Sequence, residues 1–93
     1  MNVVQTDEKT DFIFDEEMKK RFRRLQNDYK WIITHKNQLR SEYPNKYIAV
    51  ENEKVRFTGN TIEELISEIT AHKEQTDNFA IEYVAEHPAN FLF

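Results

Sequence analysis

From Met18 to Tyr43 the chain places Met18, Phe22, Leu25, Tyr29, Ile32, Lys36, Leu39 and Tyr43 at alternating spacings of four and three. This is the period of an α-helix with one apolar stripe, interrupted only at Lys36. Asp15 reads as the N-cap, with Glu16 and Glu17 in the first turn, where carboxylates favour the positive end of the helix dipole. Pro44 ends the helix, because it cannot donate the next backbone bond and pushes its predecessor out of the helical region. The stripe predicts one long helix from about Asp15 to Glu42 with a bend. The other reading is two helices dividing near Asn27 and Asp28, with Asp28 capping the second.

The middle of this helix is too apolar for a single contact surface. Trp31, Ile32 and Ile33 are consecutive and together cover about 200° of the helix circumference, roughly twice what lying on one sheet face requires. A second surface must meet them, either the apolar cluster Phe12 to Phe14 or another copy of the chain. The cluster Phe91-Leu92-Phe93 is likewise unaccounted for by one small core.

After Pro44 the period changes. Lys46 to Val50 is a nearly continuous apolar run, as in a central strand, whereas Val55 and Phe57 alternate with Lys54, Arg56 and Thr58 as on a strand with one wet face. Glu51, Asn52 and Glu53 connect the two, Asn52 being the residue best suited to positive φ. Gly59 and Asn60 lead into the capping box Thr61-Ile62-Glu63-Glu64, and Ile62, Leu65, Ile66 and Ile69 line one face of a second helix running to about Lys73 or Glu74. Gln75 to Asn78 is a polar loop. Phe79 to Val84 is a third strand, with Phe79, Ile81 and Tyr83 on one face and Ala80 and Val84 on the other.

A single glycine and two prolines in 93 residues exclude a β-sandwich rich in tight turns. The length allows one domain. The expected fold is therefore α+β, in the order α-β-β-α-β, with the helices packed on one face of a three-stranded sheet. Residues 1–14 are read as a flexible acidic tail carrying a short apolar cluster, and 15–93 as the domain. A right-handed crossover through the second helix directs the third strand parallel to the second, leaving open which strand it neighbours.

From about Asp28 onward the chain resembles a small prokaryotic, largely archaeal family known only as a domain of unknown function. The resemblance rests on Trp31, Leu39, the segment Tyr43-Pro44-Asn45-Lys46-Tyr47-Ile48-Ala49-Val50, Val55, Gly59, Glu63-Glu64-Leu65 and the strand Ile81 to Val84. It covers about two thirds of the chain. It implies a compact domain of helices and a three-stranded sheet, and supplies no activity, cofactor or catalytic residue. The chain departs from the family in its hairpin, where Asn52-Glu53 replaces Asp-Gly or Asn-Gly, and in the basic extension before Asp28.

The formal net charge of −4 conceals a strong asymmetry: Met1 to Glu17 carries −5, Met18 to Lys46 +7 and Tyr47 to Phe93 −6. The basic cluster of Lys19, Lys20, Arg21, Arg23 and Arg24 is either the footprint of a polyanion site or a solvated helix face offset by the chain's own acids.

Chemistry is sparse. No cysteine is present, which removes a thiolate metal site and a Cys nucleophile. His35, His72 and His87 have no spacing that pairs two on a helix face, and His35 is read as packing at a helix edge. With one glycine no phosphate-cradling loop can form. The chain is therefore read as a non-enzyme with no cofactor, metal, small-molecule substrate or membrane span, in the cytoplasm. It is expected to act as a protein-interaction or accessory module, with itself as a homodimer or with another protein, through Phe12, Phe14, Trp31, Ile33, Phe91 and Phe93. The alternative is non-specific nucleic-acid binding through Lys19, Lys20, Arg23, Arg24 and Lys30.

Overall fold

The structure, a computed structural model, describes residues 16–86. Helix α1 spans Glu16–Thr34 and α2 Lys36–Glu42. Strands β1 (Lys46–Val50) and β2 (Val55–Gly59) follow, then helix α3 (Ile62–Ala71), a 3-10 turn at Thr76–Asn78, and strand β3 (Ala80–Val84). The α+β class and the order helix, strand, strand, helix, strand are as expected. The tail assigned to residues 1–14 lies outside the described residues.

The long helical segment divides at His35, not at Asn27 and Asp28. The Trp31 carbonyl accepts from the His35 backbone N–H (3.0 Å) and from the Thr34 hydroxyl (3.0 Å). In the Nδ1-protonated tautomer it also accepts from the His35 ring (2.9 Å). Side-chain donors competing for a helical carbonyl bend the helix. The His35 ring stacks on Trp31 at a centroid distance of 4.7 Å, placing it at a helix edge.

The sheet order is β2-β1-β3, and β1 is antiparallel to both neighbours. Strand β3 thus runs parallel to β2 but on the far side of β1. The central position of β1 agrees with its apolar run, since Ile48, Ala49 and Val50 are all fully buried.

Burial on both faces of β1 corrects the expected placement of the helices on one face. Ile48 and Val50 join Ile32 of α1, Leu39 of α2, and Ala80 and Val84 of β3 in one cluster. Ala49, on the opposite face, packs with Leu65 and Ile69 of α3 and with Phe79. The sheet is sandwiched, with α1 and α2 on one side and α3 on the other. The helix pattern alone gives no side to α3; the odd-numbered residues of β1 do, because Ala49 and the half-buried Tyr47 need cover of their own. A bulge between Ala49 and Val50 also separates Val55 from Phe57, which pack on opposite faces rather than on the one face that simple alternation predicts.

Four non-glycine residues have positive φ, namely Asn45, Asn52, Glu53 and Lys73. Asn52 (φ 54°) and Glu53 (φ 60°) form the centre of the β1–β2 turn, which requires left-handed backbone at both places. Asp28, 1% exposed, stabilises this turn from α1. Its carboxylate accepts from the backbone N–H of Asn52 (3.1 Å) and of Glu53 (2.9 Å). Asp28 therefore caps the hairpin and not a helix.

The single glycine serves packing. A Cβ on Gly59 would stand 2.6 Å from the backbone nitrogen of Leu65, so β2 and the start of α3 approach as closely as they do only because it is absent. The α3 N-terminus forms as its sequence predicts: the Thr61 hydroxyl accepts from the Glu64 N–H (3.1 Å), and the Glu64 carboxylate reaches back to the Asn60 N–H (2.9 Å). At the C-terminus Lys73 takes the left-handed position, with its N–H bonded to Thr70 and that of Glu74 to Ile69.

Candidate interaction surface

Helix α1 buries Asp28 and Ile32 and half-buries Leu25 against the protein but leaves apolar side chains outside. Phe22 is 63% and Ile33 66% exposed, and Tyr29 and Met18 are also substantially exposed. At 100° per residue Phe22, Tyr29 and Ile33 fall within about 40° of one another, so they form one strip along the helix. Trp31 is on another side, half-buried against the core and stacked on His35. The second surface implied by Trp31-Ile32-Ile33 thus resolves into a packed Trp31 and an exposed Ile33. Phe12, Phe14, Phe91 and Phe93 lie outside the described residues.

The strip runs beside β3, an edge of the sheet that no other described strand covers. The Tyr29 hydroxyl accepts from the backbone N–H of Ile81 at 3.3 Å, a group of β3 that points away from β1. Next to it, a groove of about 270 Å³ between the helices and β3 is lined by Ile32, Lys36, Leu39, Glu82, Tyr83 and Val84. The C-terminal end of β3 is fixed by Asn45: its backbone N–H donates to the Val84 carbonyl (2.7 Å), and its side-chain oxygen accepts from the Glu86 N–H (3.1 Å).

The basic residues of α1 separate into two groups. Arg24 turns toward the protein, donating to the Asn78 carbonyl at 2.7 Å and lying 3.7 Å from the Glu51 carboxylate. Glu51 also pairs with Arg56, which in turn pairs with Glu74 at 3.1 Å. Arg21 faces Asp77 at 3.8 Å. Lys19, Lys20, Arg23 and Lys30 are exposed and form no ion pair among the described residues. Of the basic cluster, Arg21 and Arg24 thus serve internal contacts that the spacing alone did not reveal. The partners, Glu51, Asp77 and the Asn78 carbonyl, come from 27 to 56 residues along the chain.

Among the described residues no group of three or more His, Asp or Glu could hold a metal ion, and no helix is long and apolar enough to cross a membrane. The family model for a family of unknown function, DUF5678, matches residues 38–87. The chain belongs to DUF5678. The DUF5678 match starts at Gln38 rather than near Asp28, so it takes in the end of α2, the whole sheet and α3. Helix α1, with its exposed strip and basic residues, precedes it. No curated protein and no solved structure matches the chain.

Proposed function

We propose that this DUF5678 chain is a non-enzymatic interaction module that self-associates as a homodimer through the outer strip of α1. One observation carries the reading: Phe22, Tyr29 and Ile33 align as an exposed apolar strip on a helix that anchors the fold through Leu25, Asp28 and Ile32 on its other side. Single exposed apolar residues are ordinary; aligned large ones beside a sheet edge that no described strand covers favour an interface. The location expected for such a module is the cytoplasm.

Sedimentation velocity across micromolar concentrations tests this. The expected result is a concentration-dependent dimer that Phe22→Ser together with Ile33→Ser converts to monomer without loss of helix content. A wild-type monomer throughout the range would overturn it.

Polyanion binding is the second reading, favoured by the ridge of Lys19, Lys20, Arg23 and Lys30, which forms no ion pair among the described residues. With Arg24 engaged on Asn78, it rests on about four phosphate contacts and sequence-independent attraction that weakens steeply with salt. Its test is titration of duplex DNA and RNA at low salt against a variant with Lys19, Lys20 and Arg23 changed to Ala. Equal affinity of the two proteins would end this reading.

A further inference from the structure

We infer that the second copy docks edge to edge, its β3 pairing antiparallel with β3 across a two-fold axis at Glu82 to give a continuous six-stranded sheet. This rests on the homodimer reading and specifies its geometry.

The two edges of the sheet are not equivalent. Strand β2 is protected in the ways edges commonly are: it is bulged against β1, carries Arg56, and is preceded by Lys54. Strand β3, Ala80-Ile81-Glu82-Tyr83-Val84, has no bulge, proline, lysine or arginine. Its outward N–H at Ile81 is met by a Tyr29 hydroxyl at 3.3 Å, beyond the usual N–H···O range. The neighbouring outward groups, two residues on, belong to Tyr83.

This edge is complementary to itself. With Glu82 on the axis, Ile81 of one copy faces Tyr83 of the other, and the reverse, as hydrogen-bonded pairs that satisfy every outward group of the two residues in both copies. Such an isologous contact closes as a dimer and leaves no further edge of the same kind. The two Glu82 carboxylates then face each other, and Lys36, which lines the same groove, supplies a cation beside each. Five paired residues bury less than the roughly 800 Å² per partner of a stable interface. The strip of Tyr29 and Ile33, which runs beside β3, supplies the remainder: on pairing, the Tyr29 hydroxyl gives up the Ile81 N–H to the second copy, and the axis brings the strip against its counterpart.

The absence of cysteine makes the test direct. Residues facing each other in a non-hydrogen-bonded pair have Cα atoms about 4.5 Å apart, within disulfide range. Glu82→Cys in the full chain should therefore form a covalent dimer on mild oxidation. Glu86→Cys, away from the axis, should stay largely monomeric on a non-reducing gel. Tyr83→Pro removes an outward N–H while sparing the ladder to β1, and should weaken the dimer at least tenfold with the circular dichroism spectrum retained. If Tyr83→Pro does not fold, the cross-link decides. A wild-type dimer in which Glu82→Cys cross-links no better than Glu86→Cys would overturn edge pairing and leave the homodimer standing. A wild type that sediments as a monomer would overturn both.

Discussion

The Asp28 carboxylate, in the middle of α1, holds the backbone N–H of Glu53 at 2.9 Å, tying the first helix to a turn 25 residues further along the chain. Its other oxygen holds Asn52, so both residues in left-handed backbone are bonded to one buried side chain. Removing that carboxylate leaves two N–H groups without acceptors and an unfilled site. Asp28→Ala is expected to cost about 3–4 kcal/mol, on the scale of losing two charge-assisted hydrogen bonds. Asp28→Asn, which keeps one acceptor and presents a donor to the other N–H, is expected to cost about 2–3 kcal/mol. Urea denaturation of both variants checks the order. A cost under 1 kcal/mol for Asp28→Ala would mean that the turn does not depend on α1.

Glu53 has the complementary role. Left-handed backbone costs a residue with a Cβ roughly 1 kcal/mol or more relative to glycine, partly offset by the greater freedom of glycine in the unfolded chain. Glu53→Gly is therefore expected to stabilise by about 0.5–1 kcal/mol, raising the midpoint of thermal unfolding by a few degrees. The side chain is exposed and forms no hydrogen bond or ion pair among the described residues.

The strands, α3 and its cap were legible because their signals are local: alternation, a capping box, a proline. The nearly continuous apolar run of β1 also pointed to a central strand, although it left open which strand β3 neighbours. What escaped was carried by pairs distant in sequence. The role of Asp28 as a hairpin cap depends on residues 52 and 53, and the opposite faces of Val55 and Phe57 depend on a bulge in the pairing with β1. The side taken by α3 depends on Ala49 and Tyr47 needing cover, a requirement visible only once β1 is known to be central. At the candidate surface, the sequence picked out Ile33 but grouped it with Trp31, because consecutive apolar residues do not reveal which of them the core claims.

Gly59 offers a test of close approach. Its backbone is not in the left-handed region, so the cost of a side chain is steric. Gly59→Ala would set a methyl group against the Leu65 backbone, which cannot rotate away as a side chain can. The expected cost is about 2–3 kcal/mol, in the range of overpacking. Thr61→Ala, which removes only the cap, is expected to cost about 1 kcal/mol. Parallel denaturation curves should rank the two in that order.

Arg23 and Arg24 are adjacent yet face different surroundings, which separates stability from polyanion affinity. Arg24→Ala removes the bond to the Asn78 carbonyl and the contact with Glu51 and is expected to cost about 1–2 kcal/mol, discounted for the partial exposure of the pair. Arg23→Ala should leave stability within about 0.5 kcal/mol, as for other exposed sites. If the second reading is right, Arg23→Ala weakens nucleic-acid binding at low salt and lowers the slope of affinity against salt. A variant equal to wild type in both measurements assigns Arg23 to the solvated face of the helix.

Ile32 and Ile33 give the sharpest contrast on α1. Ile32 is buried between the helices and β1, and Ile32→Ser leaves a cavity and a buried hydroxyl, an expected cost of about 3–5 kcal/mol. Ile33, one residue on, is two-thirds exposed, and Ile33→Ser should change monomer stability by no more than about 0.5 kcal/mol. Yet Ile33 lies in the strip assigned to the partner copy, so its loss is expected to weaken self-association about tenfold, equivalent to about 1.4 kcal/mol. The two effects are separable because unfolding of the dimer is concentration-dependent while that of the monomer is not. Denaturation at two protein concentrations should show the wild-type midpoint moving with concentration and the Ile33→Ser midpoint nearly fixed. Equal movement in both proteins would remove Ile33 from the interface.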